Sequence, residues 1–386
     1  MTFVLLMSAA FAFATGAYVF GGLLQPMAAD FGTSIATVGQ LQTAFALAAA
    51  VGGPVLAGLT VGWDRKMLLV TVLVFLGLTN AVSALADDFA FLFVIRVAAG
   101  LIGALTLPLA STIAVLLASP QRRAGALATV FAGNSVAFLI GIPLGSMIGA
   151  AYGWPASFWL AAVLCLVVAL LIAVFVPATS GTPRPSPGAV KTVLRWPVTG
   201  LLMLSFLCFA ATFTTVAYIG PIITRITGFT GDGIGMMQIL IGIGSLAGLA
   251  IGARLAGAGG RGTLPRLLVI IAVTQALYVP AMVIDLGFGG TVLFGVAITA
   301  GATALFATSP IVQNRLAIAT GPAATVAFAF NGSMIFLGQG TGAALGGLAA
   351  GATGLATVGV VGAGVALCGL FLATRDLSAK AAAVRA

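Results

Sequence analysis

Long apolar stretches recur along the chain between short clusters of glycine, proline, aspartate and basic residues. These stretches predict helices near 3–25, 37–62, 67–86, 89–117, 124–151 and 155–177. A second set follows near 197–222, 233–256, 265–286, 290–316, 322–350 and 353–374. About 20 apolar residues cross a hydrocarbon core of about 30 Å, so each stretch is long enough for one crossing. The expected architecture is an all-α membrane protein of twelve transmembrane helices. Residues 1–24 carry no basic leader and run on toward a second apolar stretch, so they read as an uncleaved first helix. Residues 178–196 (ATSGTPRPSPGAVKTVLRW) form the one long polar, proline-rich segment and read as a linker. The expected organisation is thus a bundle over 1–177, a cytoplasmic linker over 178–196, a second bundle over 197–375 and a tail over 376–386.

Composition agrees with this pattern. Of 386 residues, 61% are hydrophobic and 6% charged, against about 25% charged in soluble domains. So few charges do not cover a water-facing surface. The absence of histidine excludes an imidazole base and His-based metal sites. All seven acids are aspartates, and Cys165, Cys208 and Cys368 stand singly, with no disulfide or metal-site spacing. No cofactor and no metal are expected. The sequence GAGGRG at 257–262 superficially matches a dinucleotide fingerprint, but it follows a membrane helix rather than a strand.

The net charge of +9 reflects topology. With the N-terminus inside, the cytoplasmic connections hold Arg65, Lys66, Arg122, Arg123, Arg184, Lys191, Arg195, Arg254, Arg261, Arg266, Arg315, Arg375, Lys380 and Arg385. The outer side holds Arg225 and five aspartates, Asp30, Asp87, Asp88, Asp232 and Asp285. Such an excess of Lys and Arg marks the cytoplasmic side and places both termini there. It also removes nucleic acid as an expected partner.

The two halves repeat. LTVGWDR at 59–65 is echoed by LAGAGGR at 255–261, and Gln42 by Gln238, both at an offset of 196. Gly141, Gly145, Gly149 and Asn134 recur at an offset of 197 as Gly338, Gly342, Gly346 and Asn331; Pro26 and Pro221 differ by 195. Six-helix repeats of this kind characterise one class of transporters, whose substrate site lies near the midplane between the halves.

These residues carry a resemblance. GGLLQPMAADFGTSIATVGQLQTAFAL (21–47), AGLTVGWDRKMLL (57–69), Arg96 and Gly100 within FLFVIRVAAGLIGA, GNSVAFLIGIPLGSMIGAAYGWPASFW (133–159) and AYIGPIITRITGFT (217–230) stand in the order seen in a known family. The chain resembles the major facilitator superfamily, and within it the bacterial 12-helix drug and sugar efflux group of drug:proton antiporters. The second stretch is similar to the family's first cytoplasmic loop signature. The third is similar to its fourth-helix arginine motif, and the fourth to its fifth-helix proline–glycine motif. The resemblance implies a bacterial inner-membrane carrier working by alternating access, with helices 1, 4, 7 and 10 lining the cavity. It departs at Val61 and Asp64, where the loop signature usually has aspartate and glycine, and at Thr15-Gly16-Ala17-Tyr18, where several relatives have a carboxylate.

Candidate site residues follow, each with two readings. Arg96 lies eight residues inside Asp88, a depth of about 12 Å. It either binds an anionic substrate group or tunes a proton site, or else it hydrogen-bonds helix-end carbonyls. Asn134, Asn331, Gln42 and Gln238 either bind a neutral polar ligand or bond between helices. Thr15 and Tyr18 on the first helix, and Thr212, Thr214, Thr215 and Tyr218 on the seventh, are cavity candidates by the resemblance; threonines can instead back-bond to their own helix. Asp30 is the acid nearest a membrane end of the first helix, a proton-relay candidate or a solvated loop residue. Asp64, Arg65 and Lys66 are gating candidates of the loop signature. Gly141, Gly145, Gly149, Gly244, Gly248, Gly252, Gly338, Gly342 and Gly346 permit close helix packing, and Pro143 a bend.

The expected function is export of a small amphipathic compound, such as a drug, sugar derivative or metabolite, by a monomer in the bilayer, with protons as the counter-substrate. An uncoupled or substrate-charge-coupled carrier is the alternative, because every aspartate falls at or beyond a predicted helix end. A non-transporting receptor or scaffold is a second one. No catalytic constellation is visible, so no enzyme is expected.

Overall fold

The computed structural model describes residues 1–179, 181, 187–257 and 262–383. Among them every regular element is helical. The first half comprises α1 (Thr2–Tyr18), α2 (Leu24–Asp30), α3 (Ile35–Leu59), α4 (Arg65–Ala84), α5 (Phe89–Gly103), α6 (Thr106–Leu117), α7 (Arg123–Val136), α8 (Ile142–Tyr152) and α9 (Trp154–Phe175). A short α10 (Pro187–Val193) precedes α11 (Val198–Val216), α12 (Ile219–Thr227), α13 (Asp232–Gly257), α14 (Thr263–Val283), α15 (Phe288–Thr320), α16 (Ala324–Thr353) and α17 (Thr357–Ala383). Arg184, Arg261, Arg385 and most of the repeat LAGAGGR lie outside the described residues.

Among the described residues, eleven stretches are long and apolar enough to cross a membrane; the longest of these, Phe288–Thr353, contains both α15 and α16. Apolar side chains cover both sides of these helices. On α9, Phe158, Ala161, Ala162, Cys165, Ala169 and Ile172 face the interior, while Val163, Val167, Leu170 and Val174 are exposed. A helix that is apolar all round belongs in lipid.

Several helices expected to be continuous are interrupted, and the breaks share a cause. Proline lacks an N–H, and its ring crowds the carbonyl four residues upstream. Gly22, four residues before Pro26, closes the 3₁₀ turn Val19–Gly22 that separates α1 from α2. Ala104 and Ala217, four residues before Pro108 and Pro221, lie at the α5–α6 and α11–α12 breaks. Pro143 produces a milder defect: Ala137–Gly141 widens into a π turn, with the Ile142 N–H bonded to the Ala137 carbonyl. Pro54, Pro280 and Pro310 sit in helices that stay continuous, so proline permits a break without forcing one.

The chain folds as two compact units, Met1–Arg184 with Phe229–Gly242, and Pro185–Gly228 with Ile243–Ala386. In the first unit α1 packs on α7 and α9, α3 on α5, and α4 on α9; in the second α11 packs on α16 and α17, and α14 on α15 and α17. The repeat is visible within each. The outer pieces α2 and α12 start at Leu24 and Ile219, an offset of 195, and carry Pro26 and Pro221 at their third positions.

The glycine series make these packings close. A Cβ on Gly141, Gly145 or Gly149 would strike Thr15, Val19 or Leu23 respectively, along the first crossing. A Cβ on Gly338, Gly342 or Gly346 would strike the carbonyls of Phe206, Ala210 or Thr214 on α11. Gly244, Gly248 and Gly252 meet the Thr299, Thr303 and Ala307 carbonyls of α15 in the same way. Glycine is needed for its conformation at Gly153, where φ is +87° in the one-residue turn between α8 and α9.

Candidate functional site at the interrupted helices

The break after α1 leaves carbonyls without helical partners, and one cation reaches them. Arg96 on α5 is 1% exposed; its Nη1 donates to the Gly16 carbonyl at 3.0 Å and its Nη2 to the Ala17 carbonyl at 2.9 Å. The guanidinium carbon lies 4.5 Å from the Phe45 ring centre, 5.0 Å from Phe20 and 5.8 Å from Phe158. Helix-end carbonyls carry the negative end of the helix dipole, and the ring faces add cation–π attraction. Both terminal nitrogens of Arg96 are thus engaged by backbone, and Nε has no hydrogen-bond partner.

Around this cap the first unit holds several unsatisfied polar atoms. Thr15 is fully buried against Gly141 and its hydroxyl has no partner. On α4, Asn80 donates to the Leu76 carbonyl at 2.8 Å and leaves Oδ1 unpaired beside Gly16. Tyr18, half-buried, stacks on Phe138 with centroids 5.3 Å apart. Asn134, half-buried one turn before Phe138, also has an unpartnered Oδ1. By helical spacing Asn134 shares a face with Phe138, whose ring stacks on Tyr18 at the end of α1. Gln42 is buried with Nε2 unpartnered. Gln238 accepts from the Ser146 hydroxyl at 2.7 Å, its Nε2 unpartnered near Gly22.

In the second unit the corresponding groups are satisfied. Thr212 and Thr214 back-bond to the Cys208 and Ala211 carbonyls. The Thr215 hydroxyl lies 3.0 Å from the Thr212 carbonyl and 2.9 Å from Gln275 Oε1. Tyr218, fully buried, donates to the Ala343 carbonyl at 3.0 Å. The Ser205 hydroxyl donates to Asn331 Oδ1 at 2.7 Å. Ser205 stands at the repeat position of Ala10, 195 residues earlier, and Ala10 touches Gly133 beside Asn134. A methyl offers no donor, so Asn134 stays open where Asn331 is closed. Nothing in the sequence distinguishes Ser146, Ser205, Gln275 and Asn80. Their signal was a polar side chain within an apolar stretch, which many unimportant residues share.

The remaining candidates lie at helix ends. Asp30 is exposed, and Oδ2 accepts from the Trp154 indole at 2.7 Å, tying the end of α2 to the start of α9. Asp64 caps α4 through the Met67 N–H at 2.7 Å, and its second oxygen accepts from the Thr179 N–H at 3.1 Å. The Arg65 N–H donates to the Thr179 carbonyl and the Lys66 N–H to the Thr179 hydroxyl. The buried Arg65 side chain reaches the Thr60 carbonyl at 3.2 Å. All three loop residues brace the end of the sixth crossing.

Comparison with known proteins adds the family. The model of the Major Facilitator Superfamily matches residues 6–326. A chloramphenicol resistance protein of Streptomyces lividans is 34% identical over 256 residues, 65% of this chain and 65% of its own length. A probable sugar efflux transporter of Helicobacter pylori (strain HPAG1) is 28% identical over 364 residues, 94% of this chain and 91% of its own. The crystal structure of the human organic anion transporter MFSD10 superposes with a TM-score of 0.69, 18% identity and coverage of 96% and 97%. With its apolar helices, repeated glycine series and paired breaks at an offset of 195, the chain belongs to the Major Facilitator Superfamily.

Proposed function

We propose that this protein exports a small, neutral, amphipathic compound across a bacterial inner membrane by alternating access, through twelve crossings with both termini cytoplasmic. Division of the 66-residue stretch Phe288–Thr353 between two helices supports the count, and the distribution of Lys and Arg supports the orientation. The relatives' names, chloramphenicol resistance and sugar efflux, support export. The observation that carries the substrate class is the unpartnered Asn134 Oδ1, one helical turn before the Phe138 ring that stacks on Tyr18. An amide that donates and accepts, next to ring faces, suits hydroxyl or carbonyl groups on an apolar frame. Arg96, with both terminal nitrogens held by backbone carbonyls, does not favour an anion.

The energetics favour a carrier that does not couple through its own carboxylates. Proton coupling needs a group whose affinity for protons changes as burial changes. Among the described side chains Asp30, Asp87, Asp88, Asp232 and Asp285 are exposed and Asp64 is half-exposed. Proton antiport, the pattern of the resembled group, is the second reading. Efflux of chloramphenicol from proteoliposomes decides between them. An unchanged rate after the pH gradient is collapsed supports the first reading, and loss of uphill transport supports antiport.

A further inference from the structure

The second half of the linker has a surface that the transport reading leaves unused. Residues 187–193 form α10, and the Leu194 N–H continues the helical pattern to the Val190 carbonyl at 3.3 Å. Val193 is fully buried and holds this segment against its unit, where α10 packs on α16. The other sides face away. Val190 and Leu194, four residues apart on one face, are 38% and 63% exposed, and Trp196 is 58% exposed. Lys191 and Arg195, also four residues apart, stand exposed on the adjacent face.

The position of this segment is set by its neighbour. The Arg195 carbonyl accepts from the N–H groups of Val198 and Thr199, so the segment is joined rigidly to the first turn of α11. The apolar span Val198–Val216 begins two residues after Trp196. A Cβ on Gly200 would come within 2.7 Å of the Trp196 ring, so the indole lies flat on that first turn and is open on its other side. Exposed Val, Leu and Trp at the edge of a span sit at the boundary between acyl chains and headgroups, where indoles concentrate. Lys and Arg on the adjacent face extend their charges to the headgroups while their stems stay in apolar surroundings.

We propose that residues 190–196 form an interfacial anchor that binds anionic lipid headgroups of the cytoplasmic leaflet, with Lys191 and Arg195 contacting phosphate and Val190, Leu194 and Trp196 inserted beside the chains. Charge complementarity selects the lipid, since both exposed polar groups of the anchor are cations and anionic headgroups enrich the surface they face. The anchor rests on the proposed topology, because it requires the start of α11 to lie at the cytoplasmic membrane surface.

A variant with Trp196 as its sole tryptophan (Trp63→Phe, Trp154→Phe, Trp159→Phe) reports depth and lipid preference in nanodiscs. Quenching by brominated phosphatidylglycerol is expected to exceed quenching by brominated phosphatidylcholine by about twofold at low salt. Lys191→Gln with Arg195→Gln should abolish the difference and leave the phosphatidylcholine signal. The same pair of substitutions in the otherwise unaltered chain should remove the thermal stabilisation given by phosphatidylglycerol over phosphatidylcholine, which tests the anchor if the triple Phe variant fails to fold. Equal quenching by both lipids, or a preference that survives the Gln substitutions, overturns the anionic anchor while the topology stands. Absence of quenching by either lipid overturns the anchor and the placement of α11 together. Competition by soluble glycerol phosphate would assign the cations to a free anion instead of a lipid.

Discussion

At the scale of single residues, the chain separates polar groups that maintain the fold from polar groups left open. Arg96 belongs to the first kind. Replacing Arg96 by Ala removes two charge-assisted hydrogen bonds and leaves two helix-end carbonyls unpaired inside an aromatic box. The expected cost is about 3 kcal/mol, read as a lowered unfolding temperature of the detergent-purified protein. The loss should be equal with neutral and anionic ligands present; selective loss of stabilisation by anions would return Arg96 to the substrate site. Asn134 belongs to the second kind. If the proposed neutral substrate class holds, with chloramphenicol as probe, Asn134→Ala is expected to leave stability within about 0.5 kcal/mol and weaken the probe's binding about tenfold, measured by ligand-induced stabilisation. Asn331→Ala, which breaks a bond to Ser205, should show the opposite pattern, lost stability with little change in affinity. Both asparagines and their shared offset were legible in the sequence. Which one was already occupied was not, because the difference is made by Ser205 against Ala10, one position on a neighbouring helix.

At the scale of elements, small residues and prolines set where helices approach and where they stop. Gly342 faces the Ala210 carbonyl, and a methyl group there must displace either α16 or α11. Gly342→Ala is expected to lose about 1–3 kcal/mol, and Gly342→Leu to abolish folded protein, measured by fluorescence-detected size-exclusion chromatography. Gly364, with open space around an added Cβ, should accept alanine without loss in the same measurement. Existence of the helices was plain from apolar runs. Their interruptions were not, because hydropathy continues through Val19–Leu23, Ala104–Leu105 and Ala217–Tyr218. Prolines at 26, 108 and 221 marked these places, yet Pro54 and Pro310 look alike in sequence and leave α3 and α15 continuous.

At the scale of the whole molecule, charge placement makes a prediction independent of any substrate. In a background with Cys368, the exposed cysteine, changed to serine, single cysteines at Arg225 and at Lys191 are both exposed in the fold. With inverted and right-side-out vesicles, an impermeant maleimide should label the first only from outside and the second only from inside. Labelling of both from one side would overturn the orientation that places the termini in the cytoplasm. Membrane class, helical fold, family and internal repeat were determined by the sequence alone, since hydropathy, charge sorting and repeated motifs are additive along a chain. Tertiary structure decided what each buried polar group does. A hydrogen bond needs a partner at about 3 Å, and for Arg96, Tyr218 and Asn331 that partner lies 79 to 126 residues away.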